Sequence, residues 1–149
     1  MTSPFLRLEI PSAVDRVAGL CAAVRALVST LGGGEADADA VELGLAEVLN
    51  NIIEHGYRGE PGHAIQVDVW VEGTVLWVQV SDAGRAMPEA LLRDAAMPDF
   101  DPGDVGALPE GGFGLGLLVA IADDIRYHSE EGRNVLTFSR TLHSDPERS

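Results

Sequence analysis

The chain contains no lysine, and all ten of its basic residues are arginines. A P-loop needs a lysine on the β- and γ-phosphates of its nucleotide, and the eukaryotic-type protein kinase fold needs one on a strand, so both are excluded. Chemistry that proceeds through a Schiff base on a lysine amine is excluded for the same reason. If the chain handles ATP, it must use another architecture.

Cysteine, positive charge and long apolar runs are also scarce. The single cysteine, Cys21, cannot form an internal disulfide or a cysteine-rich zinc site. No run approaches the roughly 20 apolar residues of a membrane span, and Met1 to Ile10 lacks the apolar stretch of a secretory signal. The net charge of −14 would repel nucleic-acid phosphates. We therefore expect a cytoplasmic protein that binds neither nucleic acid nor membrane directly.

What the chain does contain predicts one folded domain over residues 1–149. Its residues are 46% hydrophobic, which is enough for one core, and we find no internal repeat. Alternating polarity predicts a short strand over Phe5 to Ile10, and Pro11-Ser12 predicts the start of a first helix. The apolar spacing predicts a second helix from about Ala36 to His55 that stops at Gly56.

Two hairpins are predicted from their turns and apolar pairs. A turn at Glu72-Gly73 would align three pairs on one face, namely Ile65 with Val80, Val67 with Val78 and Val69 with Leu76. A turn at Glu131-Gly132 would align two more pairs, namely Ile125 with Phe138 and Tyr127 with Leu136.

Between the hairpins the sequence predicts a helical turn over Pro88 to Ala95, an irregular stretch over Met97 to Gly112, and a helix over about Leu115 to Asp124. Mixed strands and helices of this kind predict an α+β fold, a two-layer α/β sandwich. We expect a mixed, mostly antiparallel sheet with the helices on one face.

Two polar segments are candidates for binding or catalysis. Glu47 and Asn51 are four residues apart and share a helix face, where a carboxylate and an amide oxygen can hold Mg²⁺ and supply a proton-accepting base. A solvated polar face would show the same pattern.

The second segment contains Asp82, at the end of a predicted strand. Asp82 can accept a hydrogen bond from the exocyclic amine of a base, and Gly84 permits close backbone approach. A simple Asp-Gly turn is the alternative.

A third candidate segment is rich in glycine and immediately precedes an apolar helix. Four of the six residues from Gly111 to Gly116 are glycines, which leave backbone N–H groups unobstructed. Such groups at a helix N-terminus favour a phosphate cradle. A flexible hinge that caps the helix is the alternative.

The order and spacing of these three segments resemble the GHKL ATPase superfamily, which includes gyrase, Hsp90, histidine kinases and MutL. Glu47-x-x-x-Asn51 is similar to the N-box, Asp82-x-Gly84 to the first glycine box and Gly114-x-Gly116 to the second. The resemblance covers roughly Phe5 to Leu142 and implies the Bergerat type of α/β sandwich. The run from Glu47 to Tyr57 is most similar to the free-standing bacterial anti-sigma factor serine/threonine kinases.

The resemblance implies ATP and Mg²⁺ as cofactors and assigns a role to several residues. Asn51 would coordinate the metal, and Glu47 would be the catalytic base that takes the proton from the attacking hydroxyl. Asp82 would hold the adenine amino group, with Gly84 lying against the base. The other implied cofactor-binding residues are His55, Gly112, Gly114, Leu115 and Gly116, and the stretch Met97 to Gly112 would be the ATP lid.

The implied function is an ATP-binding serine/threonine protein kinase of the anti-sigma type. It would sequester a sigma factor or similar regulator and phosphorylate a serine on an antagonist protein. Two-fold dimers are common among the similar kinases, so the resemblance implies a homodimer as one arrangement. The side of the first hairpin that carries Trp70 and Trp77 would be either an interface or the side that the helices cover. One alternative is a non-catalytic nucleotide-binding module that sequesters a protein partner, and another is a detached histidine-kinase catalytic domain.

Two positions depart from the family pattern. Ala86 stands where the first glycine box usually has a second glycine, and Glu110-Gly111-Gly112 lacks the basic residue that some of these kinases have before the second box.

Overall fold

The computed structural model describes residues 5–88 and 115–145. Five strands form one sheet in the order β1-β2-β3-β5-β4, and every described strand pair is antiparallel. In chain order the elements are β1 (Leu6–Pro11), a 3-10 turn (Val14–Arg16), α1 (Val17–Thr30), α2 (Glu35–Asn51), a π-helical turn (Ile52–Gly56), β2 (Ala64–Glu72), β3 (Val75–Asp82), α3 (Gly116–Ile121), β4 (Asp124–Glu130) and β5 (Arg133–Thr141). The stretch expected to be the lid and most of the turn predicted over Pro88 to Ala95 lie outside the described residues.

The core lies between the sheet and the helices, because both layers are apolar on one side only. The α1 stripe that packs inward consists of Val17, Leu20, Cys21, Val24 and Val28. The sheet contributes Ile65, Val67, Val69, Leu76, Val78, Val80, Leu136 and Phe138, each at most 2% exposed. The opposite side of the sheet carries Asp68, Trp70, Trp77, Gln79 and Thr137, and we call it the outer sheet face. The expected two-layer α+β sandwich, with helices on one face, is confirmed.

One predicted hairpin register is correct and the other is wrong by two residues. Tyr127 lies opposite Leu136 in the second hairpin, as predicted. In the first hairpin Val69 pairs with Val78 rather than with Leu76, so the loop is Gly73-Thr74. Gly73 has a φ of +63°, which suits the first position of a two-residue turn and moves the loop one residue along the chain. A shift of two residues keeps every side chain on its predicted face.

The second predicted helix is confirmed in extent, but its last turn is wider than an α-helix. After α2 ends at Asn51, the N–H of Tyr57 donates to the carbonyl of Ile52, five residues back, at 2.8 Å. Such π-turns are frequent at functional sites because the extra residue redirects the side chains around it. Here the wide turn carries His55 and Gly56. No helix in the described part of the chain is long and apolar enough to cross a membrane.

Candidate functional site

A pocket opens between the end of α2, the π-turn and the adjoining ends of β3 and β5. It brings together three residues that the sequence predicts to bind a cofactor, Asn51, His55 and Asp82. Apolar side chains form much of the remaining wall, including Val48, Ile52, Met87 and Leu136. An apolar cleft with a few convergent polar groups is the usual form of a small-molecule site.

Asp82 is a charged residue that lines this pocket. It is 9% exposed, and burial raises the pKa of its carboxyl, although hydrogen bonds from Asn134 and Gly84 oppose that rise. Both of these hydrogen bonds end on Oδ1, at 2.9 Å from Asn134 Nδ2 and 2.8 Å from Gly84 N. Neither of these two hydrogen bonds uses Oδ2.

Asn134 is a site residue that the sequence analysis missed. It is 3% exposed and lies opposite Asp82 in the pairing of β3 with β5. Its Nδ2 also donates to the carbonyl of Gly84 at 2.8 Å, and its Oδ1 accepts from Ser129 Oγ at 2.7 Å. The predicted second hairpin already places Asn134 opposite Ser129, but nothing local in the sequence predicts its contact with β3.

Gly84 lies beside the pocket, and the structure gives a packing reason for its missing side chain. A Cβ at this position would lie 2.8 Å from both the carbonyl carbon and oxygen of Gly56, and 3.1 Å from Tyr57 Cδ1. The next residue, Arg85, donates its N–H to the carbonyl of Gly56 at 2.8 Å. The strand that carries Asp82 is thus fixed directly against the π-turn that carries His55.

Tyr57 strengthens the same junction. Its hydroxyl donates to the carbonyl of Ala64 at 3.0 Å and accepts from the N–H of Ala83 at 2.8 Å. Its ring stacks on His63, with centroids 4.4 Å apart. These contacts connect the π-turn to the start of β2 and the end of β3, so they hold the two sides of the pocket together.

Glu47 lies outside the pocket lining, one helical turn before Asn51, where α2 faces α3. The backbone N–H of Leu118, in the first turn of α3, favours the charged form of its carboxyl. Burial raises the pKa of Glu47 to about 7, and the Leu118 N–H opposes that rise. Oε2 is buried and has no hydrogen-bond partner among the described residues. A half-buried carboxylate with one unsatisfied oxygen and a pKa near neutrality makes Glu47 a candidate catalytic group.

The remaining predicted residues belong to the glycine-rich segment. Leu115 and Gly116 are buried at the start of α3, and neither is among the described lining residues of the pocket. Gly112 and Gly114 lie outside the described residues. Within the described part of the chain, no group of three or more His, Cys, Asp or Glu side chains is arranged to hold a metal ion.

Comparison with known proteins identifies relatives over nearly the whole chain. Residues 10–140 match the family described as Histidine kinase-like ATPase domain. The Serine-protein kinase RsbW of Bacillus cereus (strain AH820) is 28% identical over 131 residues, which cover 88% of this chain and 81% of that protein. The same-named protein of Bacillus mycoides (strain KBAB4) is 27% identical over the same length.

Two solved structures show the same fold at low sequence identity. The RsbU and RsbW domains of a Mycobacterium tuberculosis protein give a TM-score of 0.63 at 18% identity, covering 93% of this chain and 33% of that chain. The SiaB-SiaC complex of Pseudomonas aeruginosa gives a TM-score of 0.61 at 18% identity, covering 93% of this chain and 91% of that chain. Together with the sequence relatives, these structures confirm the resemblance to GHKL domains.

Proposed function

Because the chain belongs to the histidine kinase-like ATPase family, we propose that it is a cytoplasmic, ATP-dependent serine-protein kinase of the anti-sigma type. Its sequence relatives are named serine-protein kinases, which supports this activity over that of a detached histidine-kinase domain. The pocket around Asp82 is the observation that most supports ATP binding. Its apolar walls suit a flat base, and the buried carboxylate has an oxygen that could accept a hydrogen bond from the amino group of that base.

Adenine fits this pocket better than guanine because of the direction of the hydrogen bond. Adenine carries an exocyclic amino group, which donates to a carboxylate such as Asp82. Guanine carries a carbonyl oxygen at the corresponding position, and that oxygen would face the carboxylate as a second acceptor. Leaving buried polar groups without a proper partner gives strong discrimination between otherwise similar ligands. The chain should therefore prefer ATP to GTP.

Asn51 and the start of α3 are the proposed phosphate and metal region. Asn51 is 8% exposed and lines the pocket one helical turn after Glu47. Mg²⁺ commonly binds proteins through one or two side-chain oxygens, with the substrate phosphates completing its shell, so a single amide oxygen here fits such an ion. Bound Mg²⁺ would neutralise phosphate charge during transfer. Leu115 and Gly116, with Gly112 and Gly114, are the proposed backbone contacts to the phosphates.

Glu47 is the proposed general base. Its Oε2 is buried and has no hydrogen-bond partner among the residues that the structure describes. Its pKa of about 7 suits a group that accepts a proton near neutral pH. In the transfer, Glu47 would take the proton of the attacking serine hydroxyl while the hydroxyl oxygen bonds to the γ-phosphorus and the bond to the leaving ADP oxygen breaks. The antagonist serine would thus become a phosphoserine.

The proposed protein partners are a sigma factor or similar regulator and the antagonist that carries the serine.

A second copy of the chain is a further proposed partner, which would bind through the outer sheet face. There the rings of Trp70 and Trp77 stack with centroids 6.1 Å apart, and Arg126 lies 5.1 Å from the centroid of Trp77. Aromatic and arginine side chains are enriched in protein interfaces. Light scattering of the wild type and a Trp77→Ala variant tests the homodimer.

Calorimetric titration with Mg-ATP and Mg-GTP tests the proposed nucleotide site. Asp82→Asn keeps the size of the side chain but turns one acceptor into a donor, and it should weaken ATP binding by roughly 100-fold, as expected for a mismatched buried polar group. The matched control is Asp68→Asn, since Asp68 is also buried but lies on the outer sheet face, ion-paired with Arg7 at 2.8 Å. Wild-type heats equal to dilution, or equal ATP and GTP affinities, would contradict the proposal.

A further inference from the structure

Helix α3 approaches α2 closely because residue 44 is a glycine. A Cβ on Gly44 would lie 2.9 Å from Ile121 Cδ1 and 3.3 Å from Leu118 Cδ1. A glycine in the interior of a helix is less favourable than an alanine, so Gly44 is unfavourable for α2 itself. The contact with α3 is a physical reason for a glycine at this position.

The N-terminal end of α3 is tied to Glu47. Leu118 is the third residue of α3, so its N–H belongs to the first turn, whose N–H groups lack a helical partner. This N–H favours the charged form of the Glu47 carboxyl, while Oε2 stays without a partner among the described residues. The position of α3 therefore fixes one oxygen of the proposed base and leaves the other for the substrate.

The C-terminal end of α3 is tied to α2 through Arg140 on β5. Arg140 Nη1 donates to the carbonyl of Ile121, the last residue of α3, at 2.7 Å. Arg140 Nε donates to Oδ1 of Asp37 at 2.9 Å, and the Asp37 side chain is 2% exposed. Oδ2 of Asp37 accepts from the N–H of His143 at 2.6 Å. The guanidinium thus joins the end of α3 to a buried carboxylate in the first turn of α2.

Glu47 and Asp37 are ten residues apart on α2, about 15 Å along the helix axis. The two ends of α3 are consequently held to two separated points of the same rigid helix. A helix of six residues has little stability of its own, so these attachments determine where it lies.

We propose that Arg140 is a positioning residue for phosphoryl transfer, acting through α3 on Glu47. Arg140 is not among the described residues that line the nucleotide pocket. It holds the C-terminal end of α3, so that the Leu118 N–H stays on the Glu47 carboxylate and orients it for the incoming hydroxyl. This inference rests on the proposed kinase function, but the contact between Leu118 and Glu47 is measurable without any substrate.

The test uses Arg140→Lys, which keeps a positive charge beside Asp37 but lacks the planar fork that reaches Asp37 and Ile121 together. The matched control is Arg7→Lys, since Arg7 Nε also donates to a buried aspartate, Asp68, at 2.8 Å. Gly44→Ala perturbs the position of α3 from the other side. The first readout is the rate of amide hydrogen exchange at Leu118 in the nucleotide-free protein. The second is the kcat and the KM for ATP in phosphoryl transfer to an antagonist protein that co-purifies with this chain.

In Arg140→Lys we expect Leu118 exchange to rise and kcat to fall, each by roughly tenfold, as for the loss of one charge-assisted hydrogen bond. KM for ATP should stay within about threefold, because only the orientation of the base changes. Gly44→Ala should change Leu118 exchange and kcat in the same direction, and Arg7→Lys should change neither. Exchange at Val78, in the core of β3, should be unaltered in all three variants, which excludes general destabilisation.

If Arg140→Lys has the same Leu118 exchange rate and the same kcat as the wild type, the inference is overturned. It is also overturned if Arg7→Lys changes both quantities as much as Arg140→Lys does. If the wild type transfers no phosphate, the proposed function fails. The exchange at Leu118 still decides whether Arg140 positions α3 against Glu47.

Discussion

Asp82 and Asn134 lie opposite each other on β3 and β5, and the side-chain amide of Asn134 donates to Asp82 Oδ1 at 2.9 Å. The same amide donates to the carbonyl of Gly84 at 2.8 Å. Asn134 therefore fixes the orientation of the carboxylate and of the chain that follows it. Both described hydrogen bonds to this carboxylate end on Oδ1, so Oδ2 is the oxygen that we propose accepts from the ligand.

Replacing Asn134 should weaken nucleotide binding without removing the acceptor itself. Asn134→Ala leaves Asp82 with one fewer hydrogen bond and free to rotate, so we expect Mg-ATP affinity to fall roughly 5–10-fold, the effect of one hydrogen bond. Ser129→Ala removes only the bond from Ser129 Oγ to Asn134 Oδ1 and should have a smaller effect. Calorimetry measures both variants. An Asn134→Ala affinity equal to that of the wild type would show that Asn134 does not orient Asp82.

Two neighbouring asparagines on α2 provide a matched test of the proposed metal ligand. Asn51 lines the nucleotide pocket, whereas Asn50 lines a groove beside α1 together with Cys21. Asn51→Ala should abolish the part of ATP affinity that depends on Mg²⁺, and Asn50→Ala should bind Mg-ATP as the wild type does. Titrations with and without excess chelator separate the two contributions. Equal behaviour of the two variants would exclude Asn51 as the metal ligand.

The raised pKa of Glu47 predicts how stability changes with pH. Its ordinary value is 4.5 and its folded value is about 7, so the unfolded chain loses this proton at lower pH than the folded chain. Folding is therefore favoured by this group below pH 4.5, and its contribution decreases as pH rises towards 7. For a half-buried carboxyl we expect a loss of about 1–2 kcal/mol over that range, after allowing for solvent screening.

Urea denaturation of the nucleotide-free protein at pH 5 and pH 7.5 measures this effect. Glu47→Gln does not titrate, so its stability relative to the wild type should increase between the two pH values by the same amount. A pH-independent difference between Glu47→Gln and the wild type would mean that Glu47 is already ionised in the folded protein at pH 5.

Replacing Gly84 and Gly19 by alanine should change the stability of the fold in opposite directions. Gly84→Ala should destabilise the fold by about 1–3 kcal/mol, because the new methyl group meets rigid backbone at Gly56. Gly19 lies in α1, where a Cβ would have nothing within 4 Å, so Gly19→Ala should stabilise by about 0.5–1 kcal/mol through helix propensity. Thermal denaturation of both variants checks this. A tolerated Gly84→Ala would show that the junction with Gly56 is not rigid.

Local signals in the sequence were sufficient for most of the elements and for the faces of the strands. The second hairpin register is correct because Glu131 and Gly132 both have positive φ, at 52° and 78°, as the tightest two-residue turns require. The predicted register of the first hairpin is wrong because either register satisfies the apolar pattern equally well. In the structure Glu72 pairs with Val75, which leaves Gly73-Thr74 as the loop.

The candidate site was only partly predictable, because its decisive contacts join distant parts of the chain. Asn51, His55 and Asp82 were predicted from motif spacing and meet in one pocket. Asn134 was missed because its bond to Asp82 spans 52 residues and depends on the pairing of β3 with β5. Gly84 was expected to lie against a base, and the structure adds a packing role against Gly56 that no local pattern indicates.

The most direct test of the kinase proposal is transfer of the labelled γ-phosphate of ATP to a serine of the co-purified antagonist, by the wild type and by Glu47→Gln. Glutamine keeps the size of the side chain but cannot accept the proton. It should leave ATP affinity within about threefold and reduce transfer by roughly 10²–10⁴-fold, the usual contribution of a general base. Transfer by Glu47→Gln at the wild-type rate would contradict the role of Glu47. A wild type that binds ATP and antagonist but transfers nothing would contradict the kinase itself and favour a sequestering module.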